Sequence, residues 1–259
     1  MIYATTVMTF AAAAQDKAAF LQRDPIAFLI LAAMAGAYVG FGILLIFSVG
    51  QGVDASIRPI VMGASFGIAL MLVIFAGSEL FTGHTMYMTH GVLTGHTGLH
   101  DLALCWGVSW VGNLIGAAVL GAVFVYGGGG LILAAEAGNF LNLVAEKKMQ
   151  SGPLALVLNG ALCNWLVCLA IWMGARTASD MAKIALIWFC LFAFIAAGFE
   201  HSVANMTIFS VALLSDHGAG ISLAGAAYNL LLVTIGNVIA GAGIMGVGYW
   251  AAAGRPSYK

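Results

Sequence analysis

The sequence has very few charged residues. Only 7% of its 259 residues are Asp, Glu, Lys or Arg, whereas 62% are hydrophobic and the mean hydropathy is +1.03. A soluble domain of this length could not present so apolar a composition to water, so the chain is predicted to be a polytopic membrane protein. The net charge of −1 and the lack of a basic stripe argue against a nucleic-acid partner.

Cysteine and proline are also scarce, with four residues of each. All four cysteines lie within apolar runs, so we interpret them as small buried hydrophobic residues rather than as a disulfide or metal site. Three of the prolines, at positions 25, 59 and 153, stand where a helix can begin. The first residues lack a basic segment followed by an apolar core, so no cleaved signal peptide is predicted.

Long apolar runs predict an all-α fold with six transmembrane helices. Residues 1–24 are predicted to hold an Ala-rich surface helix, with Lys17 and Arg23 facing lipid headgroups. The second and fifth spans are longer than a straight span requires and carry Gly and polar residues near their middles, so we expect both to be broken there. The whole chain, 1–259, is thus interpreted as a single transmembrane domain. The predicted spans are 26–49, 59–90, 99–126, 153–176, 184–214 and 221–252.

A short motif occurs twice inside these apolar segments. Residues 76–84 read AGSELFTGH and residues 197–205 read AGFEHSVAN, so both begin Ala-Gly-x-Glu. A carboxylate is costly in the middle of a membrane span and is by default functional there. The repeated Glu79 and Glu200 therefore point to a transport pathway at the duplicated site.

The duplication extends to the neighbouring spans. Residues 36–37 and 160–161 both read Gly-Ala, and residues 112–113 and 236–237 both read Gly-Asn. Each half contains three spans, which is an odd number, so the second half enters the membrane from the opposite side. This predicts inverted three-helix repeats with a substrate site near the membrane midplane. The two repeats cover 25–126 and 153–252.

Lysine and arginine predict the orientation. Three of them, Arg58, Lys147 and Lys148, fall on one side of the membrane, and six fall on the side that carries both chain ends. Positively charged loops stay in the cytoplasm, so both termini are expected there.

Three runs carry a resemblance to a known family. They are residues 77–84 (GSELFTGH), 160–168 (GALCNWLVC) and 198–206 (GFEHSVANM). They resemble the formate/nitrite transporter family, and most closely its bacterial nitrite-channel branch, over residues 25–250. The resemblance implies an aquaporin-like homopentamer in the bacterial inner membrane, surrounded by lipid, with a pore in each protomer for small monovalent anions such as nitrite and formate. It implies no enzymatic activity and no cofactor.

The resemblance also implies roles for individual residues. Phe66, Leu70 and Phe194 match constrictions, and His201 matches a central histidine. Lys148 matches a vestibule lysine that attracts anions. The full set of pore residues that the resemblance implies is Phe66, Leu70, Leu80, Thr82, Asn164, Val167, Phe194, His201 and Asn229. We interpret Glu79, Glu200 and Asn205 as supporting groups that hold the broken backbone and orient the imidazole.

The chemistry expected at His201 has two forms. A dehydrated anion is strongly disfavoured in an apolar constriction, and Lys148, the N-terminal ends of the half-helices and His201 are the devices available to lower that barrier. His201 can donate a hydrogen bond, in which case the anion crosses, or a whole proton, in which case the neutral acid crosses. The sequence leaves both open.

The other histidines have plainer interpretations. His84 follows the first motif and is interpreted as a structural or mouth-lining residue rather than a gate. His90, His96 and His100 are predicted to lie in one solvated loop and not to form a metal site.

Three alternative functions remain at this point. A membrane haem anchor needs paired axial ligands on facing helices, and only His201 is clearly deep. A proton-coupled transporter could relay protons through Glu79, Glu200 and His201. A channel for neutral solutes would use twin Asn-Pro-Ala boxes, which the sequence lacks.

Overall fold

Helices make up the fold. The computed structural model describes residues 3–134 and 139–257. In chain order the elements are α1 (Ala4–Arg23), α2 (Pro25–Gln51), α3 (Arg58–Phe66), α4 (Ile68–Ala76), α5 (Phe81–Thr94), α6 (Leu99–Tyr126), α7 (Gly130–Leu133), α8 (Phe140–Met149), α9 (Pro153–Gly174), α10 (Asp180–Ala196), α11 (Ser202–Leu214), α12 (Leu223–Val238), a π-helical segment (Ile239–Val247) and α13 (Gly248–Ala252).

Several of these helices can cross a membrane. Within the described residues, five stretches are long and apolar enough to do so, and α11 is a shorter apolar helix. Their starts follow the predicted signals, because Pro25 and Pro153 each occupy the first helical turn, where a missing N–H costs nothing. The five stretches are Pro25–Gln51, Arg58–Ala76, Leu99–Tyr126, Pro153–Gly174 and Leu223–Ala252.

The second and fifth predicted spans are interrupted at the duplicated motif. The first break separates α4 from α5 and the second separates α10 from α11. At each break a glycine, Gly77 or Gly198, has a φ of +74°, a left-handed conformation that residues with a Cβ rarely adopt. An extended residue follows, Leu80 in one break and His201 in the other, and the next helix starts immediately after it.

Small residues let the long helices pack backbone against backbone. A Cβ built on Gly116 of α6 would lie 1.7 Å from the carbonyl oxygen of Ala33 in α2. A Cβ on Gly236 of α12 would lie 2.1 Å from the carbonyl oxygen of Val157 in α9. Such close approach is how helices associate where no hydrophobic effect drives them together.

The N-terminal helix has a buried face. α1 covers the predicted residues, but its Val7, Ala11 and Ala14 are fully buried, and Ala14 packs against Gly91 of α5. Lys17 does not face lipid headgroups as the sequence predicted, because its ammonium lies 2.5 Å from a carboxylate oxygen of Glu79. A buried carboxylate needs a cation more than a hydrated headgroup does, and this requirement decides where Lys17 points.

The predicted histidine loop is partly helical. His90 is not in a solvated loop: it lies in α5, is fully buried, stacks on Phe10 and packs at a tilt against Trp172. His100 is in the first turn of α6, and no group of metal-binding side chains occurs among the described residues. Lys148, the predicted vestibule lysine, lies in the last turn of α8.

The packing of α6 against α2 gives the first expected outcome. Gly116→Ala should lower the free energy of unfolding by about 1–3 kcal/mol, because the added methyl group overlaps the backbone of α2. The thermal midpoint of the purified protein in detergent, followed by loss of its size-exclusion peak, measures the effect.

Gly107→Ala on the same helix is the matched control. No atom lies within 4 Å of a Cβ built there, so the alanine should be neutral or stabilising by up to about 1 kcal/mol. Equal thermal midpoints for the two variants would show that the backbones of α2 and α6 do not approach closely at Gly116.

Candidate functional site

Asn113 of α6 holds the first helix break in place. Its side-chain oxygen accepts a hydrogen bond from the N–H of Phe81 at 2.9 Å. Its amide nitrogen donates to the carbonyl oxygens of Ala32, at 2.7 Å, and Glu79, at 3.0 Å. The N–H of Glu79 donates to the carbonyl oxygen of Leu31 at 3.3 Å. Backbone groups that the break frees are thereby bonded inside the protein, which a membrane interior requires.

Asn237 of α12 makes the same bonds at the second break. Its side-chain oxygen accepts from the N–H of Ser202 at 3.0 Å, and its amide nitrogen donates to the carbonyl oxygens of Gly160, at 2.7 Å, and Glu200, at 3.1 Å. These bonds pair Gly160 with Ala32 rather than with Gly36. The predicted match of residues 36–37 with 160–161 is therefore about one helical turn out of register.

Each repeated carboxylate is paired with a lysine. Glu79 meets Lys17 of α1, and an oxygen of Glu200 lies 2.8 Å from the ammonium of Lys148 in α8. The same Glu200 oxygen accepts a hydrogen bond of 2.6 Å from the amide of Asn205. Both carboxylates are buried, so the cation beside each of them is what makes its charge tolerable.

His201 is the N-cap of α11 and meets Thr82 of the other motif. Its Nδ1 accepts a hydrogen bond of 3.1 Å from the N–H of Ala204. Its Nε2 lies 3.1 Å from the hydroxyl oxygen of Thr82. Because Nδ1 is used as an acceptor, a neutral ring carries its proton on Nε2 and donates it toward Thr82.

Three cavities follow one another through this region, and each shares lining residues with the next. The Lys148 vestibule, about 230 Å³, is lined by Lys148, Glu200, Asn205, Phe194 and His201 among others. The central chamber, about 10 Å³, shares Phe194 and His201 with it. The Lys17 vestibule, about 280 Å³, shares Leu70 and Leu80 with the central chamber and contains Lys17 and Glu79.

The central chamber is narrow and apolar apart from His201. Its volume is close to that of a single water molecule, so a hydrated ion cannot enter it intact. The rings of Phe66 and Phe194 meet edge to face with their centroids 5.4 Å apart, and the imidazole of His201 stacks on Phe194 at 6.0 Å. Leu70, Leu80 and Val167 complete the residues of the predicted pore set that line it.

Three predicted pore residues, Thr82, Asn164 and Asn229, lie behind the cavities, and Thr82 is reached only through its contact with His201. The amide nitrogen of Asn164 donates to the carbonyl oxygens of Thr82 and Asn237 and to the hydroxyl of Thr85, so it ties α5 to α12. Asn229 accepts from Asn205 and donates to the carbonyl oxygen of Lys148. All three side chains are fully buried, and none is among the lining residues of the three cavities.

The sequence reasoning missed Lys17 and the part played by the two asparagines. Lys17 could have been found from Glu79, because a buried carboxylate requires a cation and α1 offers one. Asn113 and Asn237 were visible as a repeated Gly-Asn pair, and a helix break next to a buried amide predicts that the amide bonds the freed backbone groups.

Comparison with known proteins identifies the family. The profile of the formate/nitrite transporter family matches residues 4–251. The chain belongs to this family. Its members are transporters and channels, so the chain is a multi-pass membrane transport protein and not an enzyme, as the sequence predicted.

Individual relatives agree with this assignment. The chain is 47% identical to the nitrite transporter NirC of Escherichia coli over 258 residues, which is 98% of this chain and 95% of that protein. It is 34% identical to the formate channel BtFdhC of Bacillus thuringiensis over 87% of this chain and 86% of that one.

Solved structures share the fold. An ion channel of the family superposes with a TM-score of 0.93 at 48% identity, covering 96% of this chain and 98% of the other. A pentameric formate channel with formate bound superposes with a TM-score of 0.74 at 23% identity, over 89% and 98% of the two chains.

The asparagine bonds give the second expected outcome. Asn237→Asp should lower the free energy of unfolding by at least about 2 kcal/mol, because the carbonyl oxygens of Gly160 and Glu200 lose their donor and face a carboxylate instead. The thermal midpoint in detergent is again the measurement.

Asn142→Asp is the control for the same chemical change. Asn142 is partly exposed, so water replaces the bonds that its amide makes to Ser215 and Asp216. If Asn142→Asp lowered the thermal midpoint as much as Asn237→Asp does, the special role of the buried amide would be contradicted.

Proposed function

We propose that the protein is a channel for nitrite, and also for formate, in the bacterial inner membrane. The observation that carries the proposal is His201, held by Thr82, in an otherwise apolar constriction between two lysine-containing vestibules. The similarity to NirC of Escherichia coli, 47% over nearly the full length, favours nitrite as the main substrate. Nitrite and formate are both small, planar and singly charged, so the same path serves both.

The vestibules and the central chamber have different roles in transport. The ammonium groups of Lys148 and Lys17 raise the local concentration of anions at the two mouths. The two apolar constrictions, Phe66 with Phe194 and Leu70 with Leu80, exclude hydrated ions by dewetting. An anion that sheds its water between them meets the imidazole of His201, the polar side chain that lines the central chamber, and its Nε2–H, now bonded to the Thr82 hydroxyl, is the replacement donor.

The N-cap hydrogen bond of His201 favours passage of nitrite as the anion rather than as the neutral acid. A histidine that gives a proton to nitrite from Nε2 must first carry a second proton on Nδ1. That proton would displace the N–H of Ala204, which now bonds to Nδ1, and would leave it unpaired at a buried helix end. A hydrogen bond from a neutral imidazole needs no such rearrangement.

We further propose that the fold consists of six spans in two inverted repeats within a single domain. The matching bonds of Asn113 and Asn237, and the paired breaks, support this arrangement. We also propose a homopentamer, in line with the pentameric formate channel that shares the fold, and termini on the cytoplasmic side, in line with the distribution of Lys and Arg.

Nitrite flux into proteoliposomes tests the function. The wild-type protein should move nitrite faster than empty liposomes and without an imposed proton gradient. His201→Gln should retain much of the flux, because an amide donor replaces Nε2–H, whereas His201→Leu should lose it by about tenfold or more, since the dehydrated anion has no donor there.

Other outcomes would favour the alternatives. If His201→Gln is as inactive as His201→Leu and wild-type flux accumulates nitrite only with a proton gradient, the protein is a proton-coupled transporter. If wild-type nitrite and formate flux equal the leak of empty liposomes, the channel proposal is wrong.

A further inference from the structure

Glu79 has two nitrogen partners on one oxygen. Its Oε2 is in contact with the ammonium of Lys17, and it lies 2.7 Å from Nε2 of His84 in α5. Lys17 belongs to α1 and its side chain is 21% exposed, whereas His84 is fully enclosed. The carboxylate therefore divides its attraction between a partly exposed ammonium and a buried imidazole.

The second motif has the same arrangement with one difference. Glu200 Oε2 is shared by the ammonium of Lys148 and the side-chain amide of Asn205. Asn205 is the fifth residue after its glutamate, as His84 is the fifth after Glu79. A group that can take up a proton thus stands at one vestibule, where an amide that cannot stands at the other.

The surroundings of His84 leave room for a second proton. Its Nδ1 is buried without a side-chain partner, and the backbone of Cys105 in α6 is close enough to interact with the ring. The titratable and charged side chains around the ring are Lys17 of α1, Glu79 of the break and Tyr87 of α5. α6 presents the backbone of Cys105, and α2 presents the ring of Phe28. Glu79 is the single anion among these groups.

We propose that His84 is a proton-dependent positioning residue that decides how firmly Glu79 holds Lys17. A neutral His84 leaves Glu79 to Lys17, and the carboxylate then offsets much of the attraction of the ammonium for an anion. A protonated His84 neutralises Glu79 by itself and frees the Lys17 ammonium to bind an anion in the Lys17 vestibule. This proposal rests on the proposed anion transport and adds to it a response to acid on one side of the membrane.

The position of Lys17 explains how protonation of His84 can act on an anion. Lys17 and Glu79 both line the Lys17 vestibule, so a positive charge released there acts on an anion that enters from that mouth. The Lys148 vestibule has no counterpart, because the amide of Asn205 keeps the same charge at every pH near neutrality. Acid should therefore raise anion affinity at the Lys17 vestibule alone.

The test measures the KM for nitrite with pH changed on one side only. Tyr249 packs on Tyr3 at the start of α1, so a tag after the last residue marks the side on which the N-terminal end of α1 lies and lets vesicles be sorted by orientation. Lowering the pH at the Lys17 vestibule in steps from about 7.5 to about 5 should lower the wild-type KM by about three- to tenfold as His84 takes up its proton. The same pH change at the Lys148 vestibule should leave the KM for nitrite nearly unchanged.

Three variants separate positioning from mere structure. His84→Asn copies the other vestibule and should remove the pH dependence of KM at the Lys17 vestibule. Asn205→His should create such a dependence at the Lys148 vestibule. His90→Phe is the matched control, because His90 is also a buried histidine of α5 but stacks between aromatic rings away from Glu79, and it should behave as wild type.

The outcomes are distinct. A wild-type KM that does not change with pH, or a pH dependence that survives in His84→Asn with the protein still eluting as the wild-type oligomer, overturns the role of His84 and leaves the channel intact. Nitrite flux no faster than in empty liposomes removes the proposed function itself, and this inference with it.

Discussion

The structure depends on bonding the backbone groups that two broken helices release inside a membrane. An interrupted helix leaves N–H and C=O groups without partners, and lipid offers none. Asn113 and Asn237 each supply partners through one side-chain amide. Its oxygen accepts a hydrogen bond from an N–H in the first turn of the new helix, and its nitrogen donates to one carbonyl oxygen of the break and to one of a neighbouring helix. Because these bonds fix where each break lies, they also fix Leu80 and His201, the two residues that face the central chamber from the breaks.

The same breaks bring the buried carboxylates to the mouths of the path. A glutamate at this depth is tolerated only with a cation beside it, and Glu79 and Glu200 obtain theirs from helices outside the long spans, α1 and α8. The lysines are thereby held at the vestibules with their charge partly compensated. Such a lysine attracts an anion less strongly than a free one but also releases it more readily, which conduction requires.

Much of this arrangement could be predicted from local sequence, and the rest could not for a physical reason. Helix starts at proline, breaks at the repeated Ala-Gly-x-Glu and the deep position of His201 all follow from short patterns. The partner of Lys17 is 62 residues away, so no pattern around Lys17 reveals it. His90 looked like one of several loop histidines, but its burial depends on how α1 and α9 close over α5.

The two halves share a frame but not the residues that face the path. At equivalent places in the two motifs stand Leu80 and His201, and likewise Thr82 and Val203. Two identical polar halves would bring two imidazoles to a dry chamber and demand water or charge there, whereas two identical apolar halves would leave a dehydrated anion without a donor. One histidine from the second half meets one hydroxyl from the first, so the chamber stays apolar and still offers a hydrogen-bond donor at its centre.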